Sequence, residues 1–330
     1  MRACSRCPLR LICPLKPVAS GQPAMQQIPD RAIAAFIAEQ CLPASYREQA
    51  ETWFLPLARR LRGLAQAAET PLKIGVSGAQ GSGKTTLAAL LARILASWGL
   101  RVAALSLDDF YLRRAERLKL AESVHPLLAT RGVPGTHELD LLASTLEALT
   151  RCGEGDSVPL PAFDKSIDDR VEPSAWTGGR PGLILLEGWF TGLGPQAQEE
   201  LDPPVNALEA EADPAGRWRR FVNDKLAEYH GRVFSGLDKL IFLRAPDFGS
   251  VHRWRGLQER KLEESKLREK AGPEARAIMN EAQLRRFISH YERLTRHALA
   301  TLPEVADWMF VLDENQTVVA RVDRMPAARF

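Results

Sequence analysis

The chain has 330 residues, 45% hydrophobic, 26% charged and 7% aromatic, a globular usage that excludes disorder as the whole account. Lys and Arg total 44 against 41 Asp and Glu, so a net charge of +3 supplies no field that argues for nucleic acid. No apolar run approaches the roughly 20 residues of a bilayer-spanning helix, and the five cysteines cannot form a disulfide framework in so long a chain. The composition therefore points to a soluble protein of a reducing compartment, the cytoplasm, with no membrane and no nucleic-acid partner.

Residues 1–29 carry Arg2, Arg6, Arg10 and Lys16 among prolines and read as a flexible basic arm, with an organellar transit peptide as the alternative. Cys4, Cys7 and Cys13 in this arm follow a C-x2-C-x5-C spacing, one ligand short of the four that structural zinc requires. Residues 30–70 predict a helical extension, with Ile33, Phe36 and Ile37, then Trp53, Leu57, Leu61 and Leu64 at helical spacing around breaks at Pro43 and Pro56. From residue 71 to 330 short apolar runs alternate with long amphipathic segments, the pattern of an α/β domain built on a mainly parallel sheet. Five runs qualify as strands: Lys73–Ser77, Val102–Leu107, Leu183–Leu186, Lys239–Arg244 and Trp308–Leu312. Leu87, Leu90, Leu91, Ile94, Leu95 and Trp98 draw one helical stripe that Gly99 ends. Thr136 is placed to cap a helix bearing Leu139, Leu142, Leu146 and Leu149. Residues 151–182, rich in Gly, Pro, Asp and Ser, predict a long loop.

Gly78-Ala79-Gln80-Gly81-Ser82-Gly83-Lys84-Thr85, followed by Thr86, satisfies the G-x4-G-K-[ST] phosphate loop between a predicted strand and a predicted helix. Its glycines let backbone N–H groups turn inward around an anion, and the helix adds its positive end. Lys84 is the expected bridge between β- and γ-phosphates, and Thr85 the expected hydroxyl on Mg²⁺. Asp108 and Asp109 close the second strand, where one of them is placed to take the proton of an attacking hydroxyl. Glu187 ends the apolar third strand, and Mg²⁺ is the available partner for its charge. No N-K-x-D guanine-reading element occurs in the second half.

The ordered set GxxxxGKT, LSLDDFY, RGVPGTHELD, PAFDKSIDDR, LLEGWF and WRGLQE resembles D-glycerate 3-kinases, within the group of P-loop kinases that includes uridine kinase, phosphoribulokinase and pantothenate kinase. The resemblance runs from about Leu72 to Asp313. It implies a P-loop NTPase three-layer fold with a helical lid at about 250–285, the use of ATP with Mg²⁺, and a small hydroxyl-bearing acceptor. It favours Asp108 over Asp109 as catalytic base and puts Asp109, Tyr111, Arg131, His137, Lys165 and Arg170 around the acceptor. It offers Arg253 and Arg255 as lid arginines that close on the γ-phosphate. Phe163 replaces the group's usual Tyr, Gly256 interrupts the lid motif, and Ser166-Ile167-Asp168 shortens its Gly-rich linker. The expected function is phosphoryl transfer from MgATP to a small alcohol, D-glycerate first. The alternatives are a nucleoside, pantothenate or another sugar acid as acceptor, or a non-catalytic ATP-binding regulator.

Overall fold

The computed structural model describes residues 24–257 and 280–324. The expected arm with Cys4, Cys7 and Cys13, and most of the expected lid, including Gln258 and Glu259, lie outside these residues. Among the described residues Cys41 and Cys152 are unpaired thiols, and no helix is long and apolar enough to cross a membrane.

Three helical stretches come first, α1 (Ala24–Glu39), α2 (Tyr46–Gln49) and α3 (Leu55–Ala67), a π-helical turn over Ala50–Phe54 joining the last two. Pro56 sits in the first turn of α3, where its missing N–H costs nothing. The main sheet holds β1 (Leu72–Gly78), β2 (Val102–Ser106), β5 (Leu183–Gly188), β6 (Lys239–Arg244), β7 (Trp308–Leu312) and β8 (Val318–Asp323), in the order β2-β5-β1-β6-β7-β8. The five expected strands are all present and mutually parallel; β8 is a sixth, running back antiparallel along β7. Gln316, at φ +66°, turns the chain between them.

The strands alternate which core they feed. Leu183, Leu185 and Ile241 face α4 (Lys84–Ser97), whose Leu87, Leu90, Leu91, Ile94 and Leu95 are all buried there. Ile33, Phe36, Phe54, Leu57 and Leu61 of the N-terminal helices cover the outside of this same cluster. Ile184, Leu186 and Phe242 face the opposite layer, formed by α6 (Leu139–Arg151), α8 (Arg217–Arg232) and α10 (Glu281–Val305). The short α7 (Ala207–Ala212) is tied to α10 by a buried pair, Arg293 Nε and Nη2 on the two oxygens of Glu209 at 2.8 and 2.6 Å. Gly99, at φ +78°, ends α4 as its sequence position predicts.

Two local expectations are corrected. The segment expected as a long loop contains a hairpin, β3 (Val158–Asp164) and β4 (Asp169–Trp176), paired antiparallel in a sheet of its own. Thr136 does not cap α6: its hydroxyl closes its own turn, accepting from Gly132 N and donating to Val133 O, and the residue at the helix start is Glu138. The remaining α-helices among the described residues are α5 (Arg114–Ser123) and α9, which occupies 248–257 and leads out of them. Register then decides where function gathers. Ser77 stands beside Gly188 and Ser106 beside Glu187, so β1, β5 and β2 end level with one another at the carboxyl edge of the sheet.

Candidate active site

The loop leaving β1 is built on two glycines in the left-handed region, Gly81 at φ +80° and Gly83 at φ +86°. A Cβ at Gly81 would stand 2.8 Å from that of Trp254 on α9, so glycine here is required by space as well as by backbone. Gln316 Nε2 donates to Gly81 O at 2.8 Å, bracing the loop from the β7–β8 turn. The first turn of α4 has no side-chain cap, and both amide atoms of Gln80 and Oγ of Ser82 are buried without partners. Uncapped helical N–H groups beside such a loop form an anion site, with Lys84 and Thr85 opening the helix above it.

Glu187 is 3% exposed. Its Oε1 accepts from Thr85 Oγ1 and from Ser106 Oγ, each at 2.8 Å, while Oε2 is buried with no hydrogen-bond partner. A carboxylate oxygen left unpaired in the interior is costly unless a cation or donor meets it. Oxygen ligands are what Mg²⁺ takes, and the Thr85–Glu187 pair beside the anion site fits that ion.

Asp108 and Asp109 lie in a 3₁₀ turn, Leu107–Phe110, just past β2. Because the backbone has left the extended state here, strand alternation does not decide which of the two acids faces the site. Asp108 Oδ1 accepts from Tyr111 OH at 2.8 Å and Oδ2 from Lys165 Nζ at 2.5 Å. Burial pushes Asp108 up, but Lys165 and Lys84 outweigh it and hold the carboxyl well below the usual range. Asp109 is pushed up to about 7, chiefly by burial, with Phe163 N–H opposing and Asp108 adding to the rise. Adjacent acids are thus driven to opposite protonation states. Lys165 itself is raised by the Asp108 carboxylate.

No family model matches the chain. The protein called uncharacterized kinase mug58 of Schizosaccharomyces pombe is 35% identical to it over 268 residues, 74% of this chain and 89% of that one. The chain belongs to the P-loop kinase family. The chloroplastic D-glycerate 3-kinase of Arabidopsis thaliana is 31% identical over 241 residues, 70% of this chain and 48% of that protein. The solved structure of a D-glycerate 3-kinase from Cryptococcus neoformans superposes with a TM-score of 0.62 at 25% identity, covering 81% of this chain and 99% of that one. This chain is accordingly a phosphotransferase that uses ATP.

The kinase's other expected contacts are distributed unevenly. Arg131 is engaged by Asp168 of the β3–β4 turn and lies over the Phe163 ring, 5.5 Å from its centroid. Arg170 serves the fold: Nε donates to Tyr111 O at 2.7 Å and Nη1 pairs with Glu138 at 2.5 Å. His137 stacks on Tyr111 at 4.4 Å, its Nδ1 lies 3.1 Å from Tyr229 OH, and burial lowers it to about 3, so the ring is neutral. Its Nε2 is buried and unpartnered. Arg253 Nη2 donates to Ser250 Oγ at 2.8 Å and faces Glu314 at 3.5 Å, while Arg255 lies over Phe287 of α10. Between these two arginines, Trp254 packs on the phosphate loop.

Sequence reasoning does not single out Ser106, Trp254, Gln316 or Asp168. Ser106 shares the strand end with Asp108 and is within reach of the same argument. Trp254 opens the WRGLQE motif, but its place against Gly81, 173 residues away, is not written there, and nothing local marks Gln316, 235 residues from Gly81.

Proposed function

We propose that this kinase transfers the γ-phosphoryl group of MgATP to a hydroxyl of a small hydroxy acid, D-glycerate before others. The observation that carries this reading is the Asp108 carboxylate, bonded to Lys165 Nζ of the hairpin at 2.5 Å and held well below the usual range by Lys165 and by Lys84 of the phosphate loop, with Arg131 tied to the same hairpin turn through Asp168. A base within reach of the phosphate lysine suits an attacking hydroxyl. Cations around it suit an acid rather than a nucleoside, which would be read by stacking.

In this reading the loop from Gly78 to Thr86 holds the triphosphate, with Lys84 on its β- and γ-oxygens. Thr85 and Glu187 hold Mg²⁺, which supplies neutralisation of the charge on the transferring group. Asp108 orients the acceptor hydroxyl and takes its proton, while Tyr111 fixes the carboxylate through Oδ1. Asp109, raised to about 7, lies beside Asp108 on the same turn and adds no second negative charge below that pH. Arg253 and Arg255 flank Trp254 on α9 and are the arginines that closure of this helix brings toward the phosphates.

The test is ADP release by the full chain with MgATP and a panel of D-glycerate, glycerol, uridine and pantothenate. Stimulation by D-glycerate above the others supports the reading. Stimulation by uridine or pantothenate instead moves the acceptor to those classes, and ATP binding with no stimulation by any compound indicates a regulator.

A further inference from the structure

The β3–β4 turn carries two opposite charges, Lys165 and Asp168, and each is paired with a residue of the acceptor side of the site. Lys165 Nζ sits on Asp108 Oδ2 at 2.5 Å. Asp168 Oδ1 sits on Arg131 Nη1, and its Oδ2 lies 2.9 Å from Arg117 Nη2. Both guanidinium groups lie against the Phe163 ring, 5.5 and 5.9 Å from its centroid. One carboxylate therefore bridges two arginines over an aromatic surface, the arrangement in which a planar acid group is best held. Here the chain itself provides the acid.

The two arginines depend on Asp168 unequally. Arg117 is 1% exposed and also donates to the backbone oxygens of Leu112, Ala129 and Asp168, at 3.3, 3.0 and 2.8 Å. It stays satisfied when the Asp168 side chain is withdrawn. Arg131 has Asp168 as its ion-pair partner and the Phe163 ring as its apolar support. The turn is also not anchored in the core: Lys165 is 54% and Asp168 33% exposed by side chain, and Ile167 is 58% exposed. The ion pairs of Asp168 themselves point inward, to Arg131 at 14% and Arg117 at 1% exposure, so Asp168 leaves Arg131 only in exchange for another carboxylate, while Arg117 keeps the backbone oxygens of Leu112 and Ala129.

We propose that Asp168 sets the charge preference of the acceptor site by occupying Arg131 in place of the acceptor's own acid group. A small hydroxy acid enters by replacing both contacts of the turn at once, its carboxylate taking Arg131 from Asp168 and its hydroxyl taking Asp108 from Lys165. A neutral alcohol replaces only the second. The inference rests on the reading of the acceptor as a hydroxy acid, and it adds the residue that tunes affinity for that acid.

The experiment measures equilibrium binding of D-glycerate and of glycerol to the full chain with Mg²⁺ and a non-hydrolysable ATP analogue, for wild type, Asp168→Asn and Asp168→Gly. Asp168 has φ +57°, which glycine adopts without strain and asparagine tolerates, so both variants keep the turn. A competing carboxylate that occupies Arg131 nine-tenths of the time weakens a ligand's acid group about tenfold and leaves a neutral alcohol untouched, so both variants should bind D-glycerate about tenfold more tightly with glycerol unchanged. Unchanged, weaker or undetectable D-glycerate binding in the variants overturns the proposal, and equal tightening of glycerol overturns its electrostatic basis. Wild-type turnover with uridine alone defeats the hydroxy-acid reading, yet the binding comparison still decides Asp168, since a vacated Arg131 captures any small carboxylate.

Discussion

Replacing Asp109 with asparagine tests whether the interior beside β2 keeps an acid protonated. Burial leads the rise of this carboxyl from 3.8 to about 7, Phe163 N–H and Lys165 oppose it, and Asp108 and Glu187 add to it. Between these two values the folded chain holds a proton that the unfolded chain has lost. Stability therefore falls as pH rises through this window: the contribution of Asp109 is fully present below 3.8 and is gone above about 7. Raising the pH from about 5 to about 8 crosses roughly two units of the window, or about 2.7 kcal/mol at 1.36 kcal/mol per unit. The side chain is partly exposed, and screening reduces this to about 1 kcal/mol. The Asp109→Asn variant carries no such slope, and Asp108 stays ionised throughout because Lys165 and Lys84 outweigh its burial. Urea unfolding of the nucleotide-free chain, followed by the fluorescence of its seven tryptophans, gives the comparison. Asp109→Asn should gain about 1 kcal/mol on wild type between about pH 5 and about pH 8. A difference between the two proteins that does not change with pH refutes the reasoning.

Asp108→Asn should lower turnover about 100-fold or more with ATP affinity little changed, since the lost group acts on the acceptor; single-turnover kinetics and nucleotide titration separate the two effects. Glu187→Gln keeps an oxygen for Thr85 and Ser106 but removes the charge, so the Mg²⁺ concentration for half-maximal rate should rise about tenfold. An unmoved Mg²⁺ midpoint would remove Glu187 from that role. Gly81→Ala places a Cβ 2.8 Å from that of Trp254 at φ +80°, whereas Gly83→Ala meets open space at φ +86°. Both carry a backbone cost of about 1 kcal/mol, and calorimetry with ATP should show the Gly81 variant binding more weakly than the Gly83 variant.

The nucleotide half of the site is legible because it is contiguous. Gly78 to Thr85 is one strand-to-helix connection, and its chemistry is written in residue types at fixed spacing. Glu187 is legible for a related reason: an acid ending an apolar strand has few partners that can satisfy it. The half proposed to face the acceptor resists reading because its pairs are distant. Lys165 meets Asp108 across 57 positions and Asp168 meets Arg131 across 37. Pro159, Pro161 and Pro173 give β3 and β4 the composition of a loop, and they are tolerated because both strands of a two-stranded sheet are edges. The strand β8 is hidden by its mixed pattern, Val318, Val319, Ala320, Arg321 and Val322, which has neither a continuous apolar run nor strict alternation. Thr136 fits the helix-start logic but finds a nearer carbonyl, Val133 O at 2.7 Å, which ties its hydroxyl into the preceding turn.

The opposite states of Asp108 and Asp109 bear on how a depressed carboxylate can serve as a base. Three acids, Asp108, Asp109 and Glu187, stand at the ends of two neighbouring strands, and Asp109 feels the charge of both others. Driving two such groups apart is how one environment assigns a proton holder and a proton acceptor. Among the influences that lower Asp108, Lys165 is the largest. On the displacement proposed for the hairpin, the acceptor hydroxyl takes the place of that ammonium on Oδ2, so the lowering weakens as the hydroxyl arrives. Phosphoryl transfer through a loose transition state places little charge on the attacking oxygen until late, and orientation matters there more than basicity. A carboxylate fixed by Tyr111 on one oxygen and yielded by Lys165 on the other meets both needs: it is ionised before the acceptor binds, and more basic once the acceptor has bound.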